Sequence, residues 1–419
     1  MLTGLSSLAV RLGGLLSTFL LGVLLARLLG PGNYGIYGAV VAASALAMTL
    51  SHLGTYQLAV RELSVRASRS DWVGARTIAL QFLVVAGSAS IFLGLASILG
   101  AMFGFGPASR ELYYVILGAI LTVLLTISTL LASELRGLGA LIKGQFFEFL
   151  GRPVLSLAGL LLIIAIGFSV TAIWALWLQI AAAAVALIVS AAWLGRALPR
   201  DGGTSATKRN FSWLKAALPL GAVDLLRQLD GSYGILLMAV FAPAADVGIF
   251  RVAIACAALL GMPAAALHMI LAPKVARLHA AGERLELQTI LRESSAALLI
   301  ILLPVTLLVG LFGEPVIVTV FGPAYAGAAT PLFIFACAQT VICFFGMGPV
   351  LLAMADNEWH LIKIYLGSVV AAMAAAVPLV MLFGANGAAF AQIISFGAIG
   401  FFSWRFARRT LGLELTFFK

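Results

Sequence analysis

Residues Gly22-Val-Leu-Leu-Ala-Arg-Leu-Leu-Gly-Pro-Gly-Asn-Tyr-Gly-Ile-Tyr37 return, altered, as Gly234-Ile-Leu-Leu-Met-Ala-Val-Phe-Ala-Pro-Ala-Ala-Asp-Val-Gly-Ile-Phe250. The glycines at 22 and 234, the Leu-Leu pairs at 24–25 and 236–237 and the prolines at 31 and 243 coincide. One inserted residue later, Gly35-Ile36 meets Gly248-Ile249, and Tyr37 meets Phe250. Each copy closes an apolar run, turns at a proline and opens the next apolar run with a glycine. Repeats of hydrophobic helices build many transporters, with the substrate path between the copies.

The rest of the chain fits that reading. Its 419 residues are 62% hydrophobic and 10% charged, with a mean hydropathy of +1.11. A soluble domain carries roughly 25% charged residues. So little charge cannot cover a surface in water, and lipid must surround most of this chain. The net charge of +10 is spread along the sequence, so no nucleic-acid partner is expected. Cys256, Cys337 and Cys343 lie in apolar runs without metal-ligand spacing. They read as small core residues. The N-terminus lacks the features of a cleaved secretory signal, and its apolar run continues to about Leu29 as a first span.

A spanning helix needs about 20 apolar residues. Twelve runs qualify, near 4–29, 36–59, 78–103, 112–133, 147–167, 172–194, 217–241, 247–271, 295–313, 331–354, 361–383 and 387–406. Breakers such as Pro31-Gly32-Asn33, Phe105-Gly106-Pro107, Gly322-Pro323 and Gly384-Ala-Asn-Gly387 separate them. The connections alternate in charge. Those holding Arg61–Arg76, Arg136–Arg152, Arg196–Lys215, Lys274–Arg292, Lys363 and Arg405–Lys419 carry 21 of the 26 basic residues. The opposite set holds only Arg27, Arg110 and Arg251. The positive-inside rule then puts both termini in the cytoplasm.

The polar stretch Arg196–Lys215 reads as a cytoplasmic linker, 196–215, between an N-terminal lobe, 1–195, and a C-terminal lobe, 216–419. The sequon Asn210-Phe211-Ser212 falls inside it and reads as chance. Six spans per half make the repeats parallel. The expected fold is therefore an all-α polytopic membrane protein, with about twelve transmembrane helices in two parallel six-helix lobes.

Charge inside a span should face a cavity or a partner. Span seven carries Asp224, Arg227 and Asp230, within roughly 120° of one another at about 100° per residue. They read either as a structural Asp-Arg-Asp cluster or as a cavity-lining ion site. Arg11 in span one suits a phosphate, or snorkels to headgroups. Arg27 and Arg251 sit near outer span ends, where headgroup contact competes with substrate contact. Glu148 and Arg152 read as a structural i,i+4 pair, and His52 and His268 as core or interface histidines. Trp72, Trp193, Trp213 and Trp404 read as interface anchors. No motif for ATP use, hydrolysis or metal binding occurs, so neither enzyme activity nor a cofactor is expected.

Leu24–Tyr37 also resembles the first-hairpin signature of O-antigen and capsule flippases. These form the polysaccharide-transporter branch of the multidrug/oligosaccharidyl-lipid/polysaccharide exporter superfamily. Leu53-Gly54 with Arg61-Glu62, Phe321-Gly-Pro-Ala-Tyr-Ala-Gly-Ala328 and Gly384-Ala-Asn-Gly-Ala-Ala389 resemble later family segments, in the right order. The resemblance implies a two-lobed bundle in the bacterial inner membrane. It would move a polyprenyl-diphosphate-linked oligosaccharide from the cytoplasmic to the outer leaflet by alternating access. Its partners would be that substrate, membrane lipids, and a glycan polymerase and its assembly. A cationic cavity would use Arg227 and Arg11, with Arg27 and Arg251 as further substrate contacts and Asp224 and Asp230 as coupling-ion candidates. Two rivals stay open: a drug/cation antiporter of the same superfamily, and a major-facilitator transporter. Arg61–Arg76 lacks the loop pattern usual in the second.

Overall fold

The computed structural model describes residues 2–103, 111–198, 213–355 and 357–415, and no strand occurs among them. The expected breaker at 105–107, residues 199–212 of the expected linker with their sequon, Arg110 and Lys419 lie outside the described residues. The helices in chain order are α1 (Leu2–His52), α2 (Thr55–Ser68), α3 (Trp72–Met102), α4 (Leu112–Gly137) and α5 (Leu141–Gln145). A π-turn, Phe146–Gly151, leads into α6 (Arg152–Ile166), followed by α7 (Ala172–Ala197) and α8 (Leu214–Phe241). Then come α9 (Ala244–Leu260), α10 (Met262–Ala281) and α11 (Arg284–Phe321). A 3₁₀ segment, Pro323–Ala328, precedes α12 (Ala329–Phe344), α13 (Gly348–Met354) and α14 (Glu358–Phe406).

Nine stretches among the described residues are long and apolar enough to cross a membrane. Two of these, Ala9–His52 and Trp359–Leu411, are each divided into two span-length halves by a glycine in a non-helical conformation. The breaks are at Gly30 (φ 70°, ψ 170°) and Gly384 (φ 54°, ψ −127°), a backbone region that other residues rarely adopt. The long helix α8 stands outside the nine because of its charged side chains. Counting the halves and α8 accounts for the twelve spans read from the sequence. The protein is a multi-pass, all-helical membrane protein.

The chain forms two compact units: Met1–Leu29 with Ile36–Gln228, and Gly30–Gly35 with Leu229–Lys419. In the first unit, Leu58, Leu63, Ile78, Phe82, Leu130, Leu135, Leu194 and Trp213 form one buried cluster. Trp213 lies edge-on to Phe82, with centroids 4.8 Å apart, and donates Nε1–H to Gln81 Oε1 at 3.1 Å. The interface-anchor reading of Trp213 is therefore wrong: its indole fills core space. The second span is also shorter than its apolar run. The chain leaves the helix after His52 through Leu53 (φ 47°) and Gly54 (φ 81°), then restarts as α2. There α8 comes to backbone distance. A Cβ on Gly54 would collide with the Ala217 carbonyl oxygen, and one on Gly221 with the Gly54 amide nitrogen.

The second unit contains the matching contact, between the two copies of the repeat. A Cβ on Gly35 would collide with the carbonyl oxygen of Ala244 in α9, and one on Gly248 with that of Pro31. Small residues spaced by four let membrane helices approach this closely. A separate cluster of Leu271, Val275, Leu278, Leu287, Leu291 and Leu351 takes in Leu413 and Leu415 from the chain end.

Candidate functional site

The charged residues of α8 take partners from different helices. In the first unit, Asp224 Oδ1 accepts a hydrogen bond from Gln57 Nε2 of α2 at 2.7 Å. Arg227 lies within electrostatic reach of that carboxylate and is itself exposed. In the second unit, Asp230 is 8% exposed and accepts from Ser395 Oγ and, at 3.3 Å, from Gln392 Nε2, both on α14. A buried carboxylate needs hydrogen-bond donors, each worth about 1.5–3 kcal/mol to a charged group, so these donors help an aspartate persist here. Close packing supports the position. Gly234 lies against the ring of Phe250 and the Cβ of Ala388, and Tyr233 packs with Ala372, Ala376 and Ala391.

Three more arginines were singled out in the sequence. Arg11 is exposed, with its guanidinium 4.8 Å from the centroid of Phe149. A turn later, Gly14 lies so close to the Phe149 carbonyl that no larger residue fits without displacement. Arg27 is exposed. Arg251 sits over Tyr34, 5.3 Å from its centroid, and Tyr34 meets Tyr325 edge-on at 6.3 Å. That stack gives Arg251 a protein contact within the second unit. Arg11, Arg27, Asp224 and Arg227 belong to the first unit, Asp230 and Arg251 to the second.

The first unit also holds a polar cluster that the sequence reading missed. Tyr56 donates its hydroxyl to Glu148 Oε1 at 2.5 Å. Arg136 Nη1 lies 3.1 Å from Glu148 Oε2, and its guanidinium covers the Tyr56 ring at 4.7 Å. The imidazole of His52 stacks on Tyr56 at 5.6 Å and meets Thr129 Oγ1 at 3.1 Å. The expected Glu148–Arg152 pair takes another form, with the Glu148 carboxylate on Arg136 and Arg152 on the Glu148 carbonyl. Arg152 turns its guanidinium to main-chain carbonyls, Nε to Phe147 at 3.3 Å and Nη2 to Glu148 at 3.1 Å. Both acceptors belong to the π-turn, and the Phe147 carbonyl also takes the main-chain N–H of Arg152. One signal was available, since Arg136 and Glu148 are opposite charges at facing ends of consecutive spans. Among the described residues, no group of three or more His, Cys, Asp or Glu is placed to hold a metal.

Comparison with known proteins gives a consistent result. Residues 4–279 match the family described as polysaccharide biosynthesis protein. No curated protein matches the sequence. Among solved structures, the fold is similar to the inward-facing conformation of a MATE-family multidrug resistance transporter of the MOP superfamily. That match has a TM-score of 0.74 at 17% identity and covers 97% of this chain and 98% of the other. The Vibrio cholerae MATE transporter VcmN, in a mutant form, gives 0.64 at 16% identity over 99% and 98%. The lipid II flippase MurJ, in an inward closed conformation, gives 0.65 at 14% identity over 98% and 87%. At these identities the likeness carries the fold alone.

Proposed function

We propose, on the premise that this chain belongs to the polysaccharide biosynthesis protein family, that it flips a polyprenyl-diphosphate-linked oligosaccharide from the cytoplasmic to the outer leaflet. Membership makes it a multi-pass transporter or flippase in polysaccharide biosynthesis. The finer reading places it in a bacterial inner membrane with both termini cytoplasmic, working by alternating access. Its lobes are residues 1–195 and 216–419, joined by 196–215, and a glycan polymerase receives its product. The observation that carries the reading is the charge set of α8. Both aspartates accept from neutral donors, while the arginine between them is exposed.

A guanidinium matches a diphosphate with two parallel hydrogen bonds. Arg227 is the main contact, Arg11 lies nearer the cytoplasmic entrance, and Arg27 and Arg251 contribute on the outer side. When the diphosphate claims Arg227, Asp224 or Asp230 takes up an ion as the local charge changes, which couples ion movement to lipid movement. The test is surface glycan in a deletion strain complemented with variants, with protein level checked in membranes. Arg227→Ala should abolish export, and Arg227→Lys should restore part of it. Normal glycan from Arg227→Ala at normal protein level would remove Arg227 from the mechanism.

A drug/cation antiporter is the second reading, supported by the likeness to multidrug transporters and by a buried carboxylate at Asp230. It predicts altered drug susceptibility in the deletion strain with surface glycan intact.

A further inference from the structure

We propose that Tyr56, Arg136 and the π-turn of Glu148 form a diphosphate-binding site in the first unit, in which Glu148 is a resident stand-in that the ligand displaces. Arg136 is the central observation. Its side chain is nine-tenths buried, yet its Nε and Nη2 have no hydrogen-bond partner among the described residues. A guanidinium carries five donors in a fixed fork, and Glu148 occupies one corner of it. Buried donors left open are costly, and a second acceptor of the right shape would fill them.

The donors facing Glu148 also define the class of ligand. A tyrosine hydroxyl and an arginine fork around one carboxylate are the groups that would receive phosphate oxygens. A carboxylate offers two oxygens, whereas a diphosphate offers more acceptors and more charge. The surroundings favour added anionic charge: Arg11 stacks on Phe149 and Arg152 binds the carbonyls of Phe147 and Glu148, both within this same turn.

The π-turn supplies the means of release. Its Glu148 sits where the helix ladder changes register, so a local return to α geometry swings the side chain away without unfolding the helix. Arg152 would follow, because its acceptors are carbonyls of that turn. Phosphate binding by this cluster stands on the geometry alone. Its assignment to a polyprenyl-diphosphate headgroup rests on the flippase reading.

The test is calorimetric titration of the full-length protein in phospholipid-free detergent with inorganic pyrophosphate. Displacement gives a signed outcome: Glu148→Gln should bind pyrophosphate about tenfold more tightly than wild type, because the charged competitor for the guanidinium is gone. A purely supporting Glu148 would give equal or weaker binding, and that result overturns the proposal. Arg136→Gln leaves Glu148 unpaired and is at risk of misfolding, so the double variant Arg136→Gln/Glu148→Gln is the matched control. It should be folded and lose binding; retained binding would overturn the assignment to Arg136. Added polyprenyl diphosphate should compete with pyrophosphate, and phosphatidylglycerol at the same concentration should not. Equal competition by phosphatidylglycerol would make this an ordinary headgroup contact and overturn the diphosphate assignment. If pyrophosphate behaves as expected but the deletion strain keeps its surface glycan, the flippase reading fails and the phosphate site stands.

Discussion

Adding one methyl group at the contact between the repeats should unpack the second unit. In Gly248→Ala the new Cβ falls on the Pro31 carbonyl oxygen and close to the Gly35 amide nitrogen. Neither atom can rotate away, since both belong to helical backbone. The two helices must therefore move apart, and a gap of about 0.5–1 Å already forfeits a quarter to a half of each van der Waals contact. Overpacking of this kind costs about 1–3 kcal/mol, and a backbone collision belongs at the upper end of that range. The better helix propensity of alanine returns about 1 kcal/mol, leaving a net loss of about 2 kcal/mol. For a unit of this size that lowers Tm by about 4–8 °C. Gly35→Ala should behave alike, because its Cβ meets the Ala244 carbonyl across the same seam. The double variant should fall short of the sum by about 1 kcal/mol, since one separation relieves both collisions. Gly32 is the internal control: nothing lies within 4 Å of a Cβ built there. Gly32→Ala should be neutral, or stabilise by up to about 1 kcal/mol. Scanning fluorimetry of purified protein in one detergent measures all four. An unchanged Tm in Gly248→Ala, or an equal drop in Gly32→Ala, would refute the close-contact argument.

Ser395→Ala removes a donor from buried Asp230 and should reduce export while the protein still reaches membranes; Ser395→Thr, which keeps the hydroxyl, should retain more. Wild-type surface glycan from Ser395→Ala would argue that Asp230 acts without this donor. Trp213→Ala should destabilise by about 3–5 kcal/mol as a core truncation, read as a large fall in Tm, whereas a headgroup anchor would lose little. For topology, a cysteine at Ala385 should react with an impermeant thiol reagent outside intact cells and one at Ala140 should not. The reverse labelling would invert the proposed orientation.

The long elements were legible because their cause is in the composition. An apolar run of about 20 residues has one stable backbone arrangement in lipid, the helix, so run lengths and breakers located nearly every span. Gly30 and Gly384 could be located too, since each sits in a Gly/Pro/Asn cluster between two runs. What stayed hidden depended on departures from an even helix. The run 36–59 looks uniform, but the chain turns at Leu53-Gly54, because α8 packs against that turn at backbone distance. Nothing local in the run reports a contact with residues 217–221. Glu148 and Arg152 meet through the Glu148 carbonyl and not as an i,i+4 side-chain ion pair, for a related reason. The spacing rule presumes α geometry, and a π-turn of six residues leaves no mark in composition.

The charges of α8 share one side of the helix but not one partner. An arc of roughly 120° is wide enough to address two neighbouring helices. Asp224 and Asp230 sit at the ends of that arc, and their donors come from α2 and α14 respectively. A helical wheel placed the charges on one side of the helix; it could not tell a shared partner from separate ones. The partners themselves bear on the chemistry. A serine hydroxyl can donate to a carboxylate or accept from a carboxylic acid, and a glutamine amide can present either its nitrogen or its oxygen. Asp230 is thus held by groups that can serve it with or without a proton, and that can also turn oxygens toward a small cation. A fixed cation in their place would oppose exchange. Under the flippase reading, neutral donors of this kind suit a coupling carboxylate at Asp230.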